Sequence, residues 1–323
     1  MRRKLAALLF AAALLAPTAC GSNNNNSGTA TGSGKTDKVT VGVIPILDVA
    51  PIYLGKQKGF FSNRKIDLNL ALAQGGAAIV PAVVSGQYQF GFSNVISLLL
   101  AQSRNVPVKV VCNGNNSTGV DGQDFAALMV KGDSPIKSAK DLAGKTVAAN
   151  TLNNIVDTTV RASVRKAGGD PKKVKFVELP FPDQPAALQA GRVDAVFVVE
   201  PFQQAVLAQG GRKIASSYVD AAPNLTVALY FTSNQLLRSN PDLVKRFTEA
   251  MQESLKYADE HPDEARSIIG TYTKITPDVI AKMTLPKWPS DINRQAVQTL
   301  ADLALGDSLL PKAADVNALL PSS

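Results

Sequence analysis

Short apolar runs alternate with helical patterns along the chain from Val39 onward. Runs rich in Val, Ile and aromatic residues predict strands, and the stretches between them predict helices. The predicted strands are 39–45, 66–73, 88–92, 106–112, 124–133, 146–150, 174–180, 193–199, 212–217 and 225–233. This alternation favours mostly parallel sheets that are covered by helices on both faces.

The α/β pattern restarts after about residue 130, and the predicted strands stop after residue 233. Residues 113–122 have almost no apolar content and are predicted to be a loop, whereas 134–145 is predicted to be a short helix. The tail from residue 240 is amphipathic and helical, so it should pack on one of the sheets. We therefore expect an α/β fold of two lobes, two mixed sheets joined by two crossover strands, with a ligand cleft between them. The expected lobes are 39–125 plus 228–323, and 130–225.

One pattern occurs twice. Residues 83–94 read VVSGQYQFGFSN and residues 188–201 read LQAGRVDAVFVVEP, and each follows an alanine-rich run. Aligning Gly86 on Gly191 gives a helix, a glycine and a strand in both cases. We interpret the two stretches as corresponding units, one in each lobe, that each deliver a strand end to the shared cleft.

The first residues predict export. A cationic MRRK start precedes twelve apolar residues, 5–16, which is typical of a signal peptide and too short for a mature membrane span. The following PTACG resembles a bacterial lipobox, although Pro17 stands where Leu is usual, and this resemblance implies removal of 1–19 and lipidation of Cys20. Residues 20–38 are then the lipidated Cys and a flexible linker, because residues 21–37 carry no apolar residue larger than Ala and cannot bury surface. As a coil, these 17 residues span roughly 20–25 Å. A plain secretory signal with an incidental cysteine is the alternative.

Composition and charge exclude several function classes. The chain has 34 basic and 26 acidic residues without a marked basic cluster, so nucleic acid is not an expected partner. The single histidine, His261, lies in a charged DEHPDEA stretch, and neither metal-spaced Cys/His groups nor GxSxG or GxxxxGK[ST] sequences occur. We therefore predict no catalytic residues, no metal and no cofactor. Cys112 ends an apolar run and is expected to be a buried thiol.

The candidate ligand-binding residues are those that follow the predicted strands. They are Leu47, Asp48, Gly75, Gly76, Ser93, Asn94, Thr151, Leu152, Asn153, Asp183, Glu200 and Pro201. Several open a helix, whose free N–H groups favour an anion, although such residues also serve simply as helix caps. The three acids instead suit an amine or an aminopyrimidine, or they bridge the lobes. Phe125, Phe181, Tyr230 and Trp288 are expected to pack in the core, with lining of the cleft as the alternative.

Four segments together resemble the nitrate/sulfonate/taurine substrate-binding proteins of ABC importers, a superfamily that also holds binding proteins for thiamine pyrimidine precursors. They read APIYLGKQKGFF, GGAAIVPAVVSGQYQFGFSN, SPIKSAKDLAGKTVAANT and AALQAGRVDAVFVVEPF. The resemblance implies a type II periplasmic-binding-protein fold, acting as a monomer, that closes on a ligand and docks on a permease driven by an ATPase. By position, the ligand loops of that family fall on the strand-end residues above except Asp183: Leu47–Asp48, Gly75–Gly76, Ser93–Asn94, Thr151–Asn153 and Glu200–Pro201. Gln89 stands where the family often has Asp, on a strand and not in the pocket.

The expected function is that of an extracytoplasmic, lipid-anchored receptor. The favoured ligand is a small sulfonate, taurine or a nitrate-like anion, and the alternative is a thiamine pyrimidine precursor or another amine-bearing molecule. A pyrimidine-synthase-like enzyme is a rival from another class, but it would need catalytic Lys and His residues in the pocket. A sensor would need a fused signalling domain.

Overall fold

The structure is a computed structural model and describes residues 35–322. Cys20 and the predicted signal peptide lie outside the described residues. The strands are β1 (Asp37–Val43), β2 (Ile66–Leu72), β3 (Phe90–Asn94), β4 (Val108–Asn116), β5 (Ala126–Val130), β6 (Thr146–Ala149), β7 (Lys175–Glu178), β8 (Ala195–Val199), β9 (Arg212–Ala215) and β10 (Thr226–Ser233).

Helices cover the strands and fill the C-terminal third of the described chain. They are α1 (Ala50–Gln57), α2 (Gly76–Val84), α3 (Val95–Ser103), α4 (Ile155–Lys166), α5 (Gln184–Gln189), α6 (Phe202–Ala208), α7 (Ser217–Ala221), α8 (Asn234–Ser239), α9 (Pro241–Glu260), α10 (Pro262–Ser267), α11 (Pro277–Ile280), α12 (Arg294–Gly306) and α13 (Val316–Leu319).

The ten strands form two five-stranded sheets built on one plan, which confirms the predicted pair of mixed sheets. The first has the order β2-β1-β3-β10-β4 and the second the order β7-β6-β8-β5-β9. In each sheet three neighbouring strands are parallel, and the fourth, β10 or β5, is antiparallel to both of its neighbours. The chain crosses from the first sheet to the second before β5 and returns to the first sheet before β10. In each case the strand that follows the crossing is the antiparallel strand of the sheet.

Two neighbouring segments, 117–125 and 216–225, carry the chain between the lobes. The backbone N–H of Ser117 donates to the Leu225 carbonyl at 2.8 Å, so the two crossings are directly bonded. The Asp124 carboxylate is buried in the first crossing and accepts from the Ser117 hydroxyl at 2.8 Å and from the Thr118 N–H at 2.9 Å. These bonds give the junction a defined shape in spite of its irregular backbone.

The C-terminal helices complete the first lobe. The Phe247 ring on α9 stacks on Phe90 of β3 with ring centroids 3.7 Å apart, and α9 also packs along α1. Arg246 on the same helix binds Asp37 at the start of β1 through a 2.6 Å contact. The prediction that the helical tail packs on a sheet is thus confirmed.

Two local predictions are wrong. Residues 113–116, predicted as loop, continue β4, because their polar side chains find buried partners that composition cannot reveal. The Asn113 amide donates to the Pro289 carbonyl at 2.8 Å, and Asn116 exchanges backbone hydrogen bonds with Lys287. The predicted helix 134–145 contains only a 3₁₀ turn, Ala139–Leu142.

The repeated pattern is confirmed as two corresponding units. Gly86 and Gly191 end α2 and α5 with φ angles of 79° and 67°, a left-handed conformation that strongly favours glycine. The side-chain oxygen of Gln89 then accepts from the Thr40 N–H at 2.8 Å, and the carboxylate of Asp194 accepts from the Thr146 N–H at 2.8 Å. In each unit the side-chain oxygen therefore binds the residue of the neighbouring parallel strand that directly precedes the first residue paired with the unit's own strand.

Candidate ligand-binding cleft

The carboxyl ends of parallel strands from both sheets meet around one small cavity of about 30 Å³. It lies where open α/β sheets ordinarily place their ligands. The lining side chains are mostly apolar or aromatic, with three polar residues among them. They are Ile44, Ile46, Asp48, Phe92, Asn94, Asn150, Ile155, Val156, Phe181, Val199, Tyr218, Val227 and Ala228.

Asp48 is the one acid in this lining, and only 3% of its surface is exposed. Its Oδ2 atom accepts from the Asn115 amide at 2.9 Å, and its backbone carbonyl accepts from the indole N–H of Trp288 at 3.1 Å. Its other oxygen, Oδ1, has no hydrogen-bond partner among the described residues. The carboxylate is therefore held in place while one acceptor stays available.

The surroundings of Asp48 disfavour its charge. Burial raises the pKa of this carboxyl to about 7, against the opposing effect of hydrogen bonds from its own backbone and from Asn115. The buried carboxylate of Asp124 also raises this pKa. Since the lining includes neither lysine nor arginine, no cation of the described cavity wall compensates the charge.

Asn94 and Asn150 contribute the two amides of the cavity wall. Asn94 caps α3, since its side-chain oxygen accepts from the Ser97 N–H at 2.9 Å and its amide N–H donates to the Ser97 hydroxyl at 3.0 Å. Asn150 donates to the Gln74 carbonyl of the opposite lobe at 3.4 Å and accepts from Asn154 at 3.2 Å. Asn94 is thus both a helix cap and a cavity residue.

Glu200 lies outside the cavity lining and joins the lobes. One oxygen of its fully buried carboxylate accepts from the Gln203 amide at 3.0 Å, from the Gln204 amide at 2.9 Å and from the Thr284 N–H at 3.2 Å. Its backbone carbonyl accepts from the Leu47 N–H at 3.2 Å. Burial raises the pKa of the Glu200 carboxyl. The acid therefore serves the bridging role that was the alternative to ligand binding.

Gly75 and Gly76 lie at the first turn of α2, where two close approaches require the absence of a side chain. A Cβ on Gly75 would lie 2.7 Å from the Thr151 methyl group of the other lobe. A Cβ on Gly76 would lie 2.2 Å from the Ser93 hydroxyl. Gly75 lets α2 approach the other lobe, and Gly76 lets it approach β3. These close approaches explain why both positions are glycine, although neither residue lines the cavity.

The remaining candidates do not line the cavity. Thr151 accepts from the Asn154 amide at 2.6 Å, and it is Asn154 that caps α4. Leu152, Asn153 and Asp183 are exposed, while Ser93 and Pro201 are buried behind the cavity wall. Of the twelve predicted residues, Asp48 and Asn94 therefore line the cavity.

Sequence reasoning missed much of the wall. Asn150 and Tyr218 were not predicted, and Phe181 was expected to pack in the core. Asn150 directly precedes the predicted Thr151, so a window wider by one residue would have included it. Asn115, the partner of Asp48, lies in the segment mistaken for a loop, and the sequence carries no signal that pairs the two.

A second contact between the lobes lies away from the cavity. Arg165 of α4 makes a two-point ion pair with Asp307 after α12, at 2.8 and 2.9 Å. Surface hollows of about 440 Å³ beside this pair and about 650 Å³ beside α10 and α11 are larger than the cleft cavity. Neither is lined by strand ends, so the cleft remains the candidate site.

Two α/β lobes that enclose a cavity at their strand ends define the periplasmic-binding-protein class of fold. One solved structure of this kind is the alkanesulfonate-binding protein of Xanthomonas axonopodis pv. citri bound to MOPS. It is 18% identical to this chain, covers 90% of this chain and 100% of its own, and has a TM-score of 0.75. At this identity the likeness establishes the fold.

The chain belongs to the family described as NMT1/THI5 like, whose model matches residues 47–265. A taurine-binding periplasmic protein of Escherichia coli (strain K12) is 27% identical over 58% of this chain and 56% of its own length. The chain thus spans little more than half of that relative. A 4-amino-5-hydroxymethyl-2-methylpyrimidine phosphate synthase of Saccharomyces cerevisiae is 22% identical over 71% of this chain and 69% of its own. Relatives therefore include both a binding protein and a synthase.

Proposed function

We propose that the protein is the extracytoplasmic solute-binding component of an ABC importer, which captures a small molecule between its lobes and delivers it to a membrane permease. The observation that carries this proposal is the cavity, whose wall combines strand ends from both sheets. A site shared between two lobes ties ligand binding to lobe closure, and closure changes the surface that a permease can recognise. The family and the taurine-binding relative support the same role.

Ligand entry requires the lobes to separate. A cavity of about 30 Å³ has room for only about one or two water molecules, which is too little for taurine or a pyrimidine. Separation breaks the bonds from Leu47 and Thr284 to Glu200 and the ion pair of Arg165 with Asp307. These contacts favour the closed state even without a ligand. A solute therefore binds only if the free energy of its own contacts exceeds the free energy needed to open the lobes.

The membrane partners belong to the same proposal. The permease and its ATPase follow from the importer role, and lipidation of Cys20 would hold the receptor at the membrane. Within residues 35–322, no helix is both long and apolar enough to cross a bilayer. Replacing Cys20 with Ser tests the anchor: metabolic labelling with a radioactive fatty acid should mark the wild type alone, and equal labelling would contradict lipidation.

A binding role fits the described residues better than a synthase role. His261 lies at the junction of α9 and α10, where its exposed ring stacks on Tyr257 at 3.9 Å, away from the strand ends. The cavity wall offers one carboxyl and two amides, which suit recognition. As ligand we propose a small solute of the kinds bound in this family, such as taurine or another sulfonate, with a nitrate-like anion or an aminopyrimidine as further candidates.

The test is a solute screen with two readouts. Thermal unfolding of the purified protein is followed with a library of sulfonates, amines, inorganic anions and pyrimidines, and each hit is then measured by small-angle X-ray scattering. A true ligand should raise the melting temperature in proportion to its concentration and change the distribution of lobe separations. A library without any stabilising solute, together with no binding to a co-expressed permease, would contradict the proposal.

A further inference from the structure

We infer that the cleft takes a solute that offers a positively charged N–H group, an ammonium or amidinium, to the free oxygen of Asp48. The inference rests on the proposed function and narrows its ligand. It follows from four features of the cavity wall: a fixed acceptor, the absence of basic lining residues, side-chain caps on the first turns of α3 and α4, and aromatic lining residues.

The acceptor is fixed from two sides. Asn115 holds Oδ2 at 2.9 Å and Trp288 holds the backbone carbonyl at 3.1 Å, so Asp48 has little freedom to turn toward another partner. Its Oδ1 atom is buried without a hydrogen bond among the described residues. A buried carboxylate oxygen without a donor is costly, and a charged N–H donor gives it the strongest ordinary hydrogen bond.

An anion finds few donors in the same wall. The lining includes neither lysine nor arginine. In the first turns of α3 and α4 one N–H each is taken by a side-chain cap, since Asn94 accepts from the Ser97 N–H and Asn154 accepts from the Val156 N–H, both at 2.9 Å. A sulfonate or nitrate in the cavity would therefore face the carboxylate of Asp48 without a compensating charge.

None of the described groups that interact with the Asp48 carboxylate supplies a positive charge, so a bound cation would be its counterion. The neighbours that interact electrostatically with it are the Asp124 carboxyl and the phenols of Tyr218, Tyr230 and Tyr272, and none of them carries a positive charge. Burial raises the pKa of Asp48 to about 7, so the carboxyl titrates near neutrality. A bound cation holds it ionised, and affinity therefore rises with pH through this range.

The rest of the wall suits the carbon part of such a solute. Phe92, Phe181 and Tyr218 line the cavity beside aliphatic residues. Aromatic faces attract cations, and apolar walls accommodate an organic skeleton. A quaternary ammonium could use these faces but has no N–H for Asp48, and this difference makes it a useful control.

The experiment measures binding of defined probes by calorimetry: acetamidine, methylammonium, taurine, choline, methanesulfonate and nitrate. We expect acetamidine and methylammonium to bind more tightly than choline, and the two pure anions not to bind. The Asp48→Asn variant should lose at least tenfold in affinity for these cations, whereas Asp133→Asn, which changes an exposed acid outside the cavity lining, should not. If taurine binds, the same tenfold loss in Asp48→Asn would support the inference, and unchanged taurine affinity would overturn it.

The pH profile of the unaltered protein provides a test that needs no variant. Acetamidine keeps its charge between pH 6 and 8, so its affinity should increase severalfold over this range as Asp48 ionises. A flat profile, failure of both cation probes to bind, or binding of methanesulfonate that Asp48→Asn preserves would each overturn the inference. Binding of methanesulfonate would leave the solute-binding function standing, while failure of the whole solute library would remove both.

Discussion

The two helix–glycine–strand units, 83–94 and 188–201, have the same backbone arrangement but end in side chains of different chemistry. Both have a left-handed glycine, Gly86 or Gly191, and both tie the strand to its neighbour with one side-chain oxygen. The first unit ends in Asn94, which lines the cavity. The second ends in Glu200, whose carboxylate is taken up by protein groups that include the Thr284 N–H of the other lobe.

This difference assigns separate tasks to the lobes. The first lobe supplies Asp48 and Asn94, and the second supplies Asn150 and most of the aromatic wall. The acid of the second lobe holds the lobes together. The helix–glycine–strand unit therefore sets where the strand ends in each lobe. The side chain at that end determines whether the position lines the cavity or binds the other lobe.

Replacing Glu200 with Ala should have the largest effect. The change removes the side-chain acceptor of the Thr284 N–H and the nearer of the two acceptors of the buried Gln203 amide, so we expect a loss of about 3 kcal/mol in the free energy of unfolding. Urea unfolding followed by fluorescence of the buried Trp288 measures it. The exposed acid Asp183 provides the control, since Asp183→Ala should cost less than about 0.5 kcal/mol. A loss below about 1 kcal/mol for Glu200→Ala would contradict the bridging role.

Replacing Asp48 with Asn should stabilise the empty protein by about 2 kcal/mol at pH 8. The folded pKa of Asp48 lies at about 7, above its ordinary value of 3.8, so wild-type stability falls as pH rises between these values. The gain in the variant should therefore be largest above pH 7 and vanish near pH 4. Thermal unfolding at pH 4, 6 and 8 checks the trend, and a variant that is less stable at pH 8 would contradict the cost assigned to this carboxylate.

The two glycines should respond alike. Gly86→Ala and Gly191→Ala should each cost about 1 kcal/mol, because both positions are left-handed and neither new Cβ meets an atom within 4 Å. Equilibrium unfolding of both variants measures the cost. A difference between them above about 0.5 kcal/mol would show that the units are not equivalent.

The smallest effect concerns the oxygen that pins each strand. Gln89→Ala and Asp194→Ala each remove an acceptor for a backbone N–H, and we expect losses of about 0.5–1 kcal/mol, slightly larger for the charged Asp194. Gln89→Asp should keep most of the stability, since the second unit uses an aspartate in the same role. Unfolding measurements that show a full loss for Gln89→Asp would contradict the equivalence.

The sequence predicted the framework better than the site. Alternating apolar runs located the strands of both sheets, and the repeated glycine pattern predicted the paired units, because period and turn chemistry are local properties. The loop prediction for 113–116 failed because Asn113 and Asn116 are paired with residues 287–291, far along the chain. The same distance in sequence hid the contact of Asp48 with Asn115 and the contact of Glu200 with Thr284.

The criterion that ligand-binding residues follow predicted strands also could not separate cavity residues from residues that bind other protein groups. It predicted Asp48 and Glu200 equally, yet one lines the cavity and the other binds Gln203 and Gln204 beside it. Which way a side chain turns at a strand end depends on the donors that the tertiary structure brings near. The donor to Asp48, Asn115, is distant in sequence, and of the donors to the Glu200 oxygen Thr284 is distant while Gln203 and Gln204 are local.

Native mass spectrometry of the protein, purified without denaturation, tests the central claim most directly. We predict one small solute bound per chain, released on unfolding and strongly depleted in the Asp48→Asn variant. A protein that carries no solute in native purification, and that no member of the solute library stabilises, would contradict the account.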